Sequence, residues 1–197
     1  MLIDAQFEKI SKYANDENII IPTRSTMGSA GYDFYCAEDT IIPPMTDLTD
    51  KKLVESIKLR ASQYNSFEAW IEKELPMSLA DVEAFTKEMQ SKITLVPTGI
   101  KCKMPTDYYL QLSVRSSLSL KHWIILGNGV GIIDADYYNN PDNEGHIYFQ
   151  LINLLPVPIK INKGERFGQG VLLPYGICDN DKEVVNERTG GFGSTNG

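Results

Sequence analysis

Apolar and polar positions alternate along most of the chain, and glycine or proline repeatedly cuts the alternation short. Near the N-terminus Leu2, Ile3, Phe7 and Ile10 stand among charges and predict one short strand or helix. Ile19-Ile20-Ile21 is an apolar run stopped by Pro22. Residues 29–37 pass from small residues into Tyr32-Asp33-Phe34-Tyr35, a strand with Asp33 near its start. Ile41-Ile42 ends a further strand at Pro43-Pro44, since prolines cannot continue a ladder. The same pattern returns at Ile93-Thr94-Leu95-Val96, at 100–104 and at 108–114, where Leu110, Leu112 and Val114 share a face. It recurs at 146–154, 159–161 and 167–173. Many short strands without strand–helix alternation predict a mainly β, sandwich- or jelly-roll-like body.

Between 46 and 92 the period changes. Leu53, Ile57, Ala61 and Tyr64 repeat at helical spacing, as do Phe67, Trp70, Ile71 and Leu75, and then Leu79, Val82, Phe85 and Met89. Pro76 separates the last two runs, and Ser78 with Asp81 resembles a capping box. The prediction is an α-helical insertion of two or three helices, 46–92, inside a β domain made of 1–45 and 93–178. Its apolar stripes need cover from one another, from the β body, or from a protein partner docked on the insertion. Residues 179–197 have no apolar period and predict a flexible C-terminal arm.

Four stretches carry candidate chemistry. Gly127-Asn128-Gly129-Val130-Gly131-Ile132-Ile133-Asp134-Ala135-Asp136-Tyr137 predicts a tight β-hairpin whose glycines let backbone approach a ligand. If its strand continues, Asp134 and Asp136 share a face, and a carboxylate beside open backbone is a candidate general base. The alternative is a glycine-rich turn with two solvated acids. Arg115-Ser116-Ser117, at a strand-to-helix transition, is an anion site in outline or simply a helix cap beside an exposed arginine. In Gly164-Glu165-Arg166-Phe167-Gly168-Gln169, Gln169 is a donor to an anion or an edge residue, and Glu165-Arg166 reads as only a surface pair worth little. The tail Arg188-Thr189-Gly190-Gly191-Phe192-Gly193-Ser194-Thr195 is a closing flap or a loose terminus.

Charge and composition narrow the partners. A net charge of -7 opposes broad nucleic-acid binding but leaves room for a small anion held by a few arginines and a metal ion. Cys36, Cys102 and Cys178 form no CxxC pair and suit reduced thiols. Two histidines make a His-rich zinc site a poor candidate. Neither a signal peptide nor a membrane-spanning run is evident, so a cytoplasmic protein with no membrane partner is expected.

Taken in order, the motifs resemble the trimeric dUTPase family. The matches are Ala30-Gly31-Tyr32-Asp33-Phe34, Arg115-Ser116-Ser117-Leu118, Gly131-Ile132-Ile133-Asp134-Ala135-Asp136-Tyr137, Gly164-Glu165-Arg166-Phe167-Gly168-Gln169 and Gly190-Gly191-Phe192-Gly193-Ser194-Thr195. The resemblance implies a distorted jelly-roll, or β-clip, subunit in a homotrimer with active sites shared between chains. It implies Mg2+-dependent hydrolysis of dUTP to dUMP and pyrophosphate, with Asp134 activating the attacking water. Tyr137 would pack under the deoxyribose. Asn128, Ile132 and Ile133 would read uracil through backbone, with Tyr148 also in the substrate-binding set. Arg115, Ser116, Ser117 and Gln169 would hold phosphates, joined by Arg188, Ser194 and Thr195 from the arm. Phe192 would stack on uracil, and Asp33 would reach the metal through water.

The chain departs from the family pattern in the 46–92 insertion, in a longer stretch at 138–144, and in Arg188 lying four residues before Phe192 rather than five. A dCTP deaminase of the same fold would need a glutamate where this chain has Gln150, which cannot act as acid or base.

Overall fold

A computed structural model describes residues 2–45, 83, 87–181 and 188–191. Its strands are β1 (Gln6–Lys9), β2 (Thr23–Arg24), β3 (Tyr32–Tyr35), β4 (Thr40–Ile42), β5 (Thr94–Pro97), β6 (Ile100–Lys103) and β7 (Tyr108–Val114). After helix α1 (Ser116–His122) come β8 (Ile124–Leu126), β9 (Gly131–Asp134), β10 (Tyr148–Asn153), β11 (Ile159–Ile161) and β12 (Arg166–Pro174). The mainly β class read from the alternation is what the described residues form. The helical insertion lies outside them apart from its end, where 87–91 are helical.

The largest sheet has the order β2-β3-β12-β7-β9, and a second has β5-β10-β8. Two-stranded sheets β1-β6 and β11-β4 complete the set. The pairs within each are antiparallel. Strand β10 shows why alternation was readable: Phe149, Leu151 and Asn153 are buried while Tyr148, Gln150 and Ile152 are half-exposed. Phe149 packs edge-on to Phe167 with ring centroids 4.9 Å apart, and lies 5.5 Å from Phe34. These rings press against β12 where it has no side chain. A Cβ at Gly168 would lie 2.4 Å from Phe149, so the glycine lets an aromatic ring lie on the strand.

The glycine-rich stretch corrects one expectation. It is not a ladder-paired hairpin. Its first arm, β8, pairs with β10, whereas its second arm, β9, pairs with β7. Both arms are edge strands, of two different sheets. The turn between them is held by Gly129 N donating to Leu126 O (3.2 Å) and Val130 N to Asn128 O (2.8 Å). Gly129 has a positive φ of 73°, which glycine adopts without steric cost. Turn chemistry was legible, but it does not say which strands the arms choose. The strand also stops at Asp134, and Ala135–Tyr137 is a 3-10 turn, so the two acids are not related by strand alternation.

Candidate active site

The split between β8 and β9 opens a cavity of about 220 Å3. Its wall combines Asn128, Gly131, Ile132, Ile133 and Asp134 from the turn and β9 with Tyr137, Tyr148, Gln150 and Arg188. Seven residues singled out in the sequence therefore meet in one space: Asn128, Ile132, Ile133, Asp134, Tyr137, Tyr148 and Arg188. Because both flanking strands are sheet edges among the described residues, their outer N–H and C=O groups are not consumed by a neighbouring strand. A ligand entering here meets open backbone on a rigid frame.

Tyr137 is buried, and its ring is pinned through its hydroxyl. That hydroxyl donates to His146 O (3.1 Å) and accepts from Asn143 Nδ2 (2.8 Å). Burial raises its phenol pKa, so it remains neutral at physiological pH. His146 lies against Tyr148, ring centroids 4.0 Å apart and planes tilted by 45°, and its Nε2 accepts from Gly99 N at 2.9 Å. Burial, helped by Lys12 and opposed by Glu38 and Glu144, pushes the imidazole pKa down to about 4. The neutral histidine thus serves the frame of the pocket.

Asp134 and Asp136 converge on one guanidinium despite the break in the strand. Arg188 Nη2 contacts Asp134 Oδ2 at 2.5 Å and its Nε donates to Asp136 Oδ1 at 2.8 Å. The same guanidinium lies 5.9 Å from the centre of the Tyr137 ring. Gly191 packs so close that a Cβ there would be 2.8 Å from Tyr137 Cε2. The start of the arm therefore covers the acids and the tyrosine.

A second cavity, of about 330 Å3, is lined by Arg115, Ser117, Leu118, Lys121, His122, Glu165 and Arg166. Arg115 caps α1 in an extended conformation, so the predicted strand-to-helix transition is present. Asp33 organises this region. It accepts from Arg166 Nη1 (2.8 Å) and from Ser25 Oγ, and faces Arg115 Nε at 3.7 Å. Glu165 and Arg166 do not pair with each other. Glu165 instead accepts from Asn162 N at 3.0 Å, because adjacent side chains on an extended chain diverge. Arg166 is thus a cation that sequence reading undervalued, and its neighbourhood to Asp33 is created by the β3–β12 pairing.

Gln169 stands opposite Asp33 on one side and Ser113 on the other, against Gly31, and lines neither cavity. Ser116 is also absent from both linings. Phe192, Ser194 and Thr195 lie outside the described residues. The two cavities share no residue. Along β7, Tyr109 is opposite Asp134 and Leu112 opposite Gly131, with Arg115 beyond the strand's end. From Tyr109 to Arg115 is about 20 Å of extended chain.

Residues 79–196 match the dUTPase family profile. The deoxyuridine 5'-triphosphate nucleotidohydrolase of Lactococcus lactis subsp. lactis is 37% identical over 190 residues, covering 96% of this chain and 95% of that protein. This chain is a member of the dUTPase family. The corresponding enzyme of Finegoldia magna is 41% identical over 106 residues, 52% of this chain and 70% of its own. A crystal structure of the Streptococcus mutans dUTPase superposes with a TM-score of 0.62 at 34% identity, covering 88% of this chain and 98% of that one.

The described residues contain no group of three or more His, Cys, Asp or Glu side chains able to hold a metal. They also contain no helix long and apolar enough to cross a membrane. Cys36 and Cys102 are buried and Cys178 is exposed, all without disulfides. Burial pushes the Cys102 thiol up to about 12, which keeps it protonated and inert.

Proposed function

We propose that this dUTPase-family chain hydrolyses dUTP to dUMP and pyrophosphate by water attack on the α-phosphorus, with Asp134 as general base. The observation that carries the reading is the convergence of open backbone, Asp134 and an anchored Tyr137 on one cavity. At about 220 Å3 it falls below the ~300–1,000 Å3 of drug-sized ligand sites, which suits a nucleoside with its phosphates outside. In this reading uracil meets the backbone of the Asn128 turn and β9, and the deoxyribose lies on Tyr137. The α-phosphate then reaches Asp134, which removes a proton from the incoming water as pyrophosphate leaves.

Arg188 has a switching part in this scheme. While it holds Asp134, the guanidinium occupies the carboxylate oxygen Oδ2 that a water would approach. An incoming triphosphate competes for the guanidinium, draws Arg188 onto phosphate, and frees Asp134. Thr189 onward then follows as a lid, with Phe192 over the base and Ser194 and Thr195 toward phosphate. Gln150, at the cavity wall, offers an amide that cannot relay protons, and this favours hydrolysis over a dCTP deaminase reaction.

The register along β7 supports a site shared between chains. If uracil lies near Gly131 and the α-phosphorus near Asp134, the β- and γ-phosphates point away from Arg115 of the same chain. Arg115, Ser116 and Ser117, with Gln169 behind them, therefore serve the nucleotide of a neighbouring copy, as a homotrimer allows.

If Mg2+ is bound with the substrate, Asp33 is the residue that would hold it, through water. Asp33 Oδ2 is committed to Arg166 and Ser25, but Oδ1 has only the looser Arg115 contact and can accept from a metal-bound water. Bound there, the ion would offset phosphate charge. The cations of the chain do the rest: Arg115, Arg166 and Arg188 draw an anion to a protein whose net charge is -7. Pyrophosphate release measured with dUTP, dTTP, dCTP and UTP in Mg2+ tests the reading. Strong preference for dUTP is expected, and ammonia release from dCTP would overturn it.

A further inference from the structure

We propose that Asn143 is a positioning residue for sugar selection: its side-chain amide fixes the ring of Tyr137 and so sets the discrimination of dUTP from UTP. The proposal rests on the reading that Tyr137 packs against the deoxyribose. Asn143 does not line the cavity; it acts through the tyrosine.

A phenol held by a single hydrogen bond can tilt about that bond. Tyr137 is held by two of opposite sense, accepting from Asn143 Nδ2 at 2.8 Å and donating to His146 O at 3.1 Å. The amide itself has one orientation that satisfies its surroundings. Its Oδ1 accepts from Gly145 N (3.0 Å) and from Asn140 Nδ2 (2.9 Å). A flipped amide would set NH2 against both donors, so Nδ2 must face the phenol. Asn140 grips the other end of the same residue, donating from Nδ2 to Tyr137 O at 2.8 Å.

This grip comes from the stretch at 138–144 that is longer than the family pattern. The loop doubles back through positive φ values at Asn139 (58°), Glu144 (61°) and Gly145 (79°). It comes so close to Tyr137 that a Cβ on Gly145 would sit 2.5 Å from the Tyr137 carbonyl oxygen. Its far side is tied to the body: Glu144 Oε2 accepts from Ser11 Oγ at 2.8 Å, and Lys101 Nζ donates to Asn139 Oδ1 at 2.6 Å. The ring thus leans on a braced loop, and that loop leans on β6 and the N-terminal segment.

Rejecting UTP means rejecting one extra hydroxyl, which an apolar wall does only by standing too close to admit it. A ring free to tilt yields that space. The test measures kcat and KM for dUTP and UTP on the full chain, wild type and Asn143→Ala, Tyr137→Phe, the double variant and Asn143→Asp, with a melting curve for each. Asn143→Ala should lower the dUTP/UTP ratio of kcat/KM about tenfold, mainly through KM. Asn143→Asp keeps both acceptor bonds of Oδ1 but cannot donate, so it should fall between Ala and wild type and carries the test if Asn143→Ala does not fold. In the double variant the ratio should fall no further than in the worse single variant, since both changes act on one ring. A ratio within about twofold of wild type in both Asn143 variants, or losses that multiply, overturns the proposal. A wild type that does not prefer dUTP to UTP instead overturns the functional reading beneath it.

Discussion

The nucleoside cavity and the Arg115–Arg166 cavity are built on opposite plans. In the first, the wall is edge-strand backbone and a tyrosine with both hydroxyl bonds satisfied. In the second, two arginines converge on Asp33, with side chains roughly a third exposed. The difference teaches that one wall is fixed by satisfied hydrogen bonds, whereas the other holds partly exposed charge in ion pairs that can be exchanged. Arg188 belongs to both ends, since it sits on Asp134 yet is the kind of group that phosphate recruits.

Breaking the chemistry at Asp134 should have the largest effect. Asp134→Asn is expected to bind nucleotide and to lose about 10²–10⁴ in kcat, read by stopped-time pyrophosphate assays beside calorimetric binding. A near-normal rate would remove Asp134 from its role. Weakening the charged end comes next. Arg115→Ala should raise KM for dUTP roughly 10- to 100-fold, the worth of a charge-assisted hydrogen bond, and should flatten the dependence of KM on salt. An unchanged salt slope would place the phosphates elsewhere. Removal of residues 189–197 should preserve the melting curve and cut turnover about tenfold, as a lid that positions substrate would. Equal kinetics would sink the lid.

The nucleoside end should instead be the acid-sensitive one. His146 has a folded pKa depressed from 6.5 to about 4, so the unfolded chain binds the extra proton in that window. Stability should be full above pH 6.5 and decline as pH falls toward 4, by about 3 kcal/mol in all. Urea midpoints across that range measure it, and most of the slope should be lost in His146→Gln. A slope that persists in that variant would assign the acid sensitivity to other groups.

Much of this was legible in residue order. Alternation located β7, β11 and β12 closely, and Arg115 does stand at a strand-to-helix junction. Partner choice was not legible. Gly127 to Gly131 carries hairpin turn chemistry, yet its arms join separate sheets, β8 on β10 and β9 on β7. Arg166 looked like half of a surface pair, since its true partner Asp33 is distant in sequence. Asn143 gave no signal beyond the length of its loop, because what it does depends on where the phenol of Tyr137 ends up.

The claim on which the account turns is that one nucleotide is served by Asp134 of one chain and Arg115 of another. Co-expression of Asp134→Asn with Arg115→Ala, followed by dUTP turnover at low substrate, tests it most directly. If sites are shared, random mixing leaves intact partners at about a quarter of them, and activity should rise well above either variant alone. If each chain builds its whole site, every site carries one lesion, and the mixture should be no more active than its parts.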